Sequence, residues 1–252
     1  MREGGLLMVH TRMSALGWVV GGSETVVRAL LDALGPEGTL AAYASWEEHV
    51  YALEDRPAAH RDAYAADPPV FDPATAAVTP EYGRIPERVR TWPGARHSGH
   101  PEAGVVAVGA RAAWLTDPHP GDDAYGPGTP FARLVEAGGQ VLLLGAPLDT
   151  VTLLHHAEAI ALVAGQRRVT YEVRMAAAGG VDDRTFDDIH TGEGAYDYAA
   201  LGLGDDEFAV IARGALAAGA GTRGRVGEGG SHLFEAAPLV AFATAWLEER
   251  FT

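Results

Sequence analysis

The stretch "GAPLDTVTLLHHAEA", residues 145–159, sets two adjacent histidines three and two residues ahead of a glutamate. Imidazole is the side chain best suited to exchange protons near neutrality, and a carboxylate beside it can fix its tautomer. On a helix, positions three apart share a face while positions two apart diverge, so Glu158 faces His155 and not His156. Asp149, Thr150 or Thr152 could each cap such a helix, which would place His155 in its first turn or just beyond it. There the exposed N–H groups and the helix dipole disfavour imidazolium, leaving the ring ready to accept a proton. The bland alternative is a hydrogen-bonded packing histidine, and at this point both readings stand. A zinc site drawn from His155, His156, His97, His100 and Glu158 fits poorly. No HExxH is present, neighbours on a helix point about 100° apart, and no metal is expected.

Other chemistries are excluded by composition. The 252 residues include no cysteine, and all 19 positive side chains are arginine, so there is no thiolate nucleophile, no Schiff-base lysine and no lysine-bearing phosphate loop. Five serines occur and none lies in a GxSxG turn. Gly219, Gly221 and Gly224 spell GxGxxG after a helical pattern rather than a strand, and read as a helix end and turn.

Elements must position His155, and the pattern supplies them. "LLMVH" (6–10), the helical "SETVVRALLDALG" opened by Ser23, and "GTLAAYA" (38–44) read as a βαβ start. "GVVAVG" and "QVLLLG" add strands, each followed by a helix candidate: "ARAAWL" after the first, the histidine segment after the second. Residues 46–104, rich in Pro, Asp and Arg, read as a long central loop with one short helix at "IPERVRTW". "RRVTYEVRMAAAGGVDDRTFDD" reads as a hairpin, and "DDEFAVIARGALAAG" and "APLVAFATAWLEERF" as closing helices. The expectation is an α/β fold in one domain spanning 1–252. It has a mostly parallel central sheet flanked by helices, the long central loop, and a C-terminal β-hairpin plus helices. His155 then stands at the carboxyl end of a strand, where open sheets bind ligands.

Thirty-four acids against 19 bases give a net charge of −15, which argues against nucleic acid and favours a cationic or neutral small partner. No apolar run reaches the roughly 18 residues of a membrane span, and the N-terminus lacks a secretory pattern, so the expected location is the cytoplasm.

Several longer motifs, in one order, resemble the aminoglycoside 3-N-acetyltransferases. They are "VHTRMSALGWVVGG", "GPEGTLAAYASWEE", "FDPATAAVTPEYGRIPERVRTWPGARHSGHP", "HPGDDAYGPGTPFARL", "GGQVLLLGAPLDTVTLLHHAE" and "GRVGEGGSHLFEA". The resemblance implies acetyl transfer from acetyl-CoA to the 3-amino group of the antibiotic's deoxystreptamine ring, and it makes His155 the general base. It implies a cofactor site at Thr11, Arg12, Met13, Ser14, Gly21 and Gly22, with Ser98 and His100. His156, where relatives carry an aromatic or aliphatic residue, becomes a packing residue. Two departures from the family pattern fall near that site, Arg12 where many relatives have serine and His97 where arginine is frequent. A third is a chain beginning almost at the first strand, where relatives carry about one more helix that would belong to the cofactor wall or an oligomer contact.

On this reading His155 is oriented by Glu158 or by an acid of "FDDIH", Asp188, and transfer is direct, with backbone N–H groups of the cofactor loop steadying the oxyanion. Between Val181 and Phe208 nine acids, among them Asp205, Asp206 and Glu207, face one arginine. From this cluster Asp188 and Glu193 are the expected contacts to a polycationic substrate, joined by Glu102, Asp122 and Asp123 from the central loops. The protein would act as a monomer or homodimer. Rival readings are an acyltransferase for another amine metabolite, a binder that sequesters cations, and a metal hydrolase.

Overall fold

The computed structural model describes residues 1–48, 53, 56–203 and 207–251. The opening unit is β1 (Leu6–Thr11), α1 (Gly22–Leu34) and β2 (Thr39–Tyr43). The central segment carries α2 (Ala58–Ala66), α3 (Arg84–Arg90) and the two-residue β3 (Arg96–His97). Then come β4 (Val105–Gly109), α4 (Ala112–Thr116), α5 (Pro130–Glu136), β5 (Gln140–Leu144) and α6 (Leu154–Ile160). The chain closes with the hairpin β6 (Arg168–Ala177) and β7 (Gly180–Ile189), α7 (Glu207–Ala217), a second hairpin β8 (Gly221–Val226) and β9 (Gly229–Glu235), and α8 (Ala236–Arg250).

The main sheet runs β3-β4-β2-β1-β5-β9-β8. β1 pairs in parallel with both β2 and β5, and the flanking pairs β2–β4, β4–β3, β5–β9 and β9–β8 are antiparallel. Five strands therefore run one way, and β4 and β9 run the other. The expected α/β fold with parallel strands at its centre is present, with antiparallel additions on both sides.

Alternation along β1 separates two cores. Leu6 and Met8 pack with Val141, Leu143, Leu154, Ala157 and the apolar side of α8, whereas Leu7 and Val9 pack with Val26, Val27, Leu30 and Leu34 of α1. The site is built largely on the first of these faces.

Three local expectations change. α1 begins at Gly22 and its cap is Gly21, in the left-handed region at φ 79, so Ser23 lies inside the helix instead of capping it. A Cβ at Gly21 would come within 2.3 Å of Thr25 Oγ1, which explains the glycine. Gly221 and Gly224 belong to strand β8, paired with Phe234 and Ser231 of β9; only Gly219, at φ 84, serves as a turn residue. Central residues read as loop include α2 and a 3-10 turn at Pro80–Tyr82, besides the expected α3. The expected penultimate helix is α7; its first two residues, Asp205 and Asp206, lie outside the described residues.

Candidate active site

A cavity of about 890 Å³ opens where β1 and β2 end and just beyond β5. Its wall takes His10 and Thr11 from β1, the loop Arg12, Met13 and Ser14, and Tyr43 from β2. It also takes Glu81, Tyr82 and Arg84, then Tyr125, Asp149, Thr150 and Thr152, and finally His155, Thr191, Gly192 and Phe208. The carboxyl ends of neighbouring parallel strands leave such a crevice because the chain departs from them in diverging loops.

His155 is the second residue of α6, and its backbone N–H donates to Thr152 O at 3.0 Å. The position is the expected one, but the cap is not. Leu153, itself helical, precedes α6, and the Thr150 hydroxyl donates to Pro147 O at 2.7 Å instead of capping. His155 Nδ1 lies 2.6 Å from Glu158 Oε2, with the imidazole 19% exposed and the carboxylate 2%. The other carboxylate oxygen accepts from the Tyr198 hydroxyl. Tyr196 Oη and Gln166 Nε2 donate to the Glu158 carbonyl at 3.0 and 2.9 Å. Burial first, and then the Glu158 charge, raise the Tyr198 phenol far above its ordinary range, so it stays a donor. With Nδ1–H held by a carboxylate, the Nε2 lone pair is left for the cavity. Ring centroids of Tyr125 and Phe208 at 4.9 and 4.7 Å clamp the imidazole.

The neighbouring histidine has a different task. His156 is buried, its Nδ1 is 2.6 Å from Tyr125 O, and burial lowers its pKa, so it acts as a neutral donor that holds Tyr125 against His155. The four histidines of the zinc alternative have separate partners, and no group of three His, Cys, Asp or Glu among the described residues is placed to hold a metal.

The structure redistributes the other candidates. Thr11, Arg12, Met13 and Ser14 lie on the cavity wall. Gly21 and Gly22 stand off it at the start of α1, beside a second cavity of about 380 Å³ lined by Ser23, Arg84, Arg88 and Thr91; Gly83 and Arg84 border both. Ser98 and His100 are fully buried. Ser98 Oγ accepts from Val105 N at 2.9 Å and lies 2.9 Å from His119 Nδ1; His100 Nδ1 accepts from Ala103 N at 3.0 Å. Both are internal struts rather than cofactor contacts.

Asp188 is corrected in both of its expected roles. It is 3% exposed, with Oδ1 accepting from Ala124 N at 2.7 Å and Oδ2 from Tyr171 Oη at 2.5 Å. It neither orients His155 nor meets a substrate. Glu102 is buried, and its carbonyl takes the Tyr43 hydroxyl. Asp122 and Glu193 are exposed off the wall, and Asp123 folds its carboxylate onto the N–H groups of Tyr125 and Gly126. None of these five acids lines the cavity; among the described residues its acidic side chains are Glu81 and Asp149. Composition weighs every acid alike, whereas several acids of the 181–208 cluster are engaged by arginines, as in Arg168–Asp187, Arg174–Asp183 and Arg184–Asp182. Residues absent from the sequence reading are Tyr198, Tyr125, Phe208, Arg84 and His10. Only "GAYDY" carried a local hint, an aromatic pair two apart.

The aminoglycoside 3-N-acetyltransferase family matches this chain over residues 8–248. The chain belongs to that family. This acetyltransferase is 48% identical over 250 residues to aminoglycoside N(3)-acetyltransferase VII of Streptomyces paromomycinus, covering 98% of this chain and 87% of the relative. Its fold matches the crystal structure of aminoglycoside acetyltransferase AAC(3)-Xa with a TM-score of 0.93 at 50% identity, covering 99% of this chain and 88% of the other. It matches AAC-IIIb, solved as a binary complex with CoASH, with a TM-score of 0.90 at 43% identity, covering 99% and 91%. The acetyltransferase moves the acetyl group of acetyl-CoA to the 3-amino group of aminoglycoside antibiotics. No helix among its described residues is long and apolar enough to cross a membrane.

Proposed function

We propose that His155 is the general base of a direct transfer, with Glu158 fixing its tautomer. The observation that carries this is the 2.6 Å contact of His155 Nδ1 with a buried carboxylate, on a ring whose other edge lines the cavity. An aliphatic amine is protonated at neutral pH and attacks a thioester only after losing a proton. His155 Nε2 accepts that proton, and the cysteine-free chain offers no thiolate to carry the acetyl group instead.

The wall fits both substrates. Arg12 and Arg84 supply positive charge beside the 11–14 loop, suited to a phosphorylated thioester, and the second cavity continues from Arg84 to Arg88. Glu81 and Asp149 suit ammonium groups, and the partly exposed ring of Tyr82 adds aromatic surface for a cationic aminocyclitol. Among the earlier candidates we retain Thr11, Arg12, Met13 and Ser14 for acetyl-CoA, and we place Glu81 and Asp149 where Glu102, Asp122, Asp123, Asp188 and Glu193 had been expected. The cytoplasm, where acetyl-CoA is made, is the compartment this chemistry requires.

His155→Ala tests the reading. Turnover should fall by about 10³-fold, the scale of a lost general base, while calorimetry still detects CoA binding. Undiminished turnover would remove His155 from the chemistry.

A further inference from the structure

His10 is the penultimate residue of β1 and, by alternation, projects to the same side of the sheet as Leu6 and Met8, the side that carries α6. It lines the cavity together with His155 and Tyr125. Its Nε2 is buried and meets no hydrogen-bond partner, and Thr11 Oγ1 next to it is buried and unpartnered as well. An unmet buried polar atom is uncommon in a packed interior. Because Nε2 is sealed, the edge of the His10 ring that lines the cavity is the one carrying Nδ1, which no side chain or backbone group among the described residues engages.

The ring's protonation follows from its surroundings. Burial pulls the His10 imidazole down to about 4, so it stays neutral while the enzyme works. A neutral imidazole carries one proton. An orphaned buried N–H is rarer than an orphaned acceptor, which puts the proton on Nδ1, the nitrogen that is not sealed beneath the wall.

We propose that His10 donates its Nδ1–H to the acetyl carbonyl oxygen of the thioester and stabilises the oxyanion formed during transfer. The proposal rests on the direct-transfer reading given above. In that step the neutral amine, formed once the ammonium has passed its first proton through His155 to solvent, attacks. Its lone pair forms the C–N bond, the carbonyl π pair moves onto oxygen opposite His10, and a second proton, now on the positively charged nitrogen, passes to His155 Nε2. The oxyanion pair then re-forms the carbonyl, the C–S bond breaks, and the departing sulfur takes the proton from His155, giving the amide and CoASH. His10 gains and loses no proton. A fixed neutral donor serves here because it meets charge that exists only in the transition state and adds no competing acid to the site.

Two variants and one spectroscopic measurement test this. In His10→Leu the donor is gone, and kcat should fall by about 100-fold, the scale of a lost oxyanion donor, with KM for acetyl-CoA and CoA affinity within three-fold of wild type. His10→Asn sets an amide N–H where Nδ1 stood and should recover at least ten-fold of the loss. On the intact wild-type enzyme with CoA bound, ¹⁵N NMR of labelled histidine should show His10 as the neutral Nδ1–H tautomer at pH 7, a result that needs no variant to fold. An Nε2–H tautomer, a His10→Leu kcat within three-fold of wild type, or a rise in KM with kcat unchanged would each overturn the proposal. Failure of the underlying base assignment looks different: His155→Ala would then keep its turnover whatever His10 does.

Discussion

Glu158 lies in a nearly dry setting, at 1% exposure, and each of its oxygens meets a partner, His155 Nδ1 on one side and the Tyr198 hydroxyl on the other. A carboxylate satisfied in this way can hold the imidazole in one tautomer; one left half-satisfied swings or takes up a proton. Glu158→Gln, which keeps the volume but not the charge, should lower kcat/KM by about 100-fold or more, as expected when a base loses the group that orients it. Tyr198→Phe leaves a buried oxygen unmet, with an expected cost of about 1–3 kcal/mol in stability, and should lower kcat about ten-fold at unchanged KM for acetyl-CoA. Steady-state kinetics and a thermal melt of each variant check both figures, and a Tyr198→Phe enzyme with wild-type kcat would show that Glu158 needs no second donor. The His155–Glu158 pair was legible in the sequence because three residues on a helix is a local geometry. Tyr198 was not, since it reaches Glu158 only after the chain has gone out and back along β6 and β7.

The hairpin β6–β7 is an element whose service to the site is indirect. Asp188 near the end of β7 grips Ala124 N and the Tyr171 hydroxyl of β6, and Tyr171 stacks on Phe186 with centroids 5.4 Å apart. This ties the hairpin to the loop that delivers Tyr125 to the face of His155. If Asp188 is such a clamp, Asp188→Asn, whose amide oxygen still accepts from Ala124, should retain kcat within about three-fold. Asp188→Ala orphans a buried N–H and should lower the melting temperature by several degrees at about 2–4 °C per kcal/mol for a chain of this size. An Asn variant as inactive as Glu158→Gln would return Asp188 to the chemistry. The hairpin itself was readable from its alternation around Gly179 and Gly180, as β1, β2, β4 and β5 were from their apolar runs. β8 was not, because "GTRGRV" is glycine-rich and exposed along most of its length, and is a strand only through its ladder to β9. The acids misled for a related reason: a count of charges shows neither which ones are buried as struts nor which ones face a cavity.

Taken as a whole, the molecule stores neutral histidines inside an acidic shell, and this fixes how its stability responds to pH. His97, His119 and His156 each have a ring nitrogen on a backbone carbonyl, of Ser98, Ala124 and Tyr125 respectively, and His119 also lies against His100 at 4.8 Å. Burial lowers all three, most for His119, where His100 adds to the effect, and it takes His10 down to about 4. A histidine depressed in the folded state contributes its full stability above the unfolded value of about 6.5. Below that value the unfolded chain takes up protons that the native state refuses, so stability falls with pH by up to about 1.4 kcal/mol per unit for each such group until its folded pKa is reached. Asp123, raised by burial, opposes the trend, but it is one carboxyl against five imidazoles, His232 being lowered by burial as well, and its window lies lower, above its ordinary 3.8. The melting temperature should therefore be level from pH 8 to 7 and drop steeply between pH 6.5 and 5, as scanning calorimetry would record. His119→Gln, which places an amide in the strut between Ser98 and Ala124, should flatten that slope even if it lowers the plateau. A wild-type melting temperature constant from pH 7 to 5 would mean that these rings accept protons in place, and the interior described here would have to be wetter than its hydrogen bonds allow.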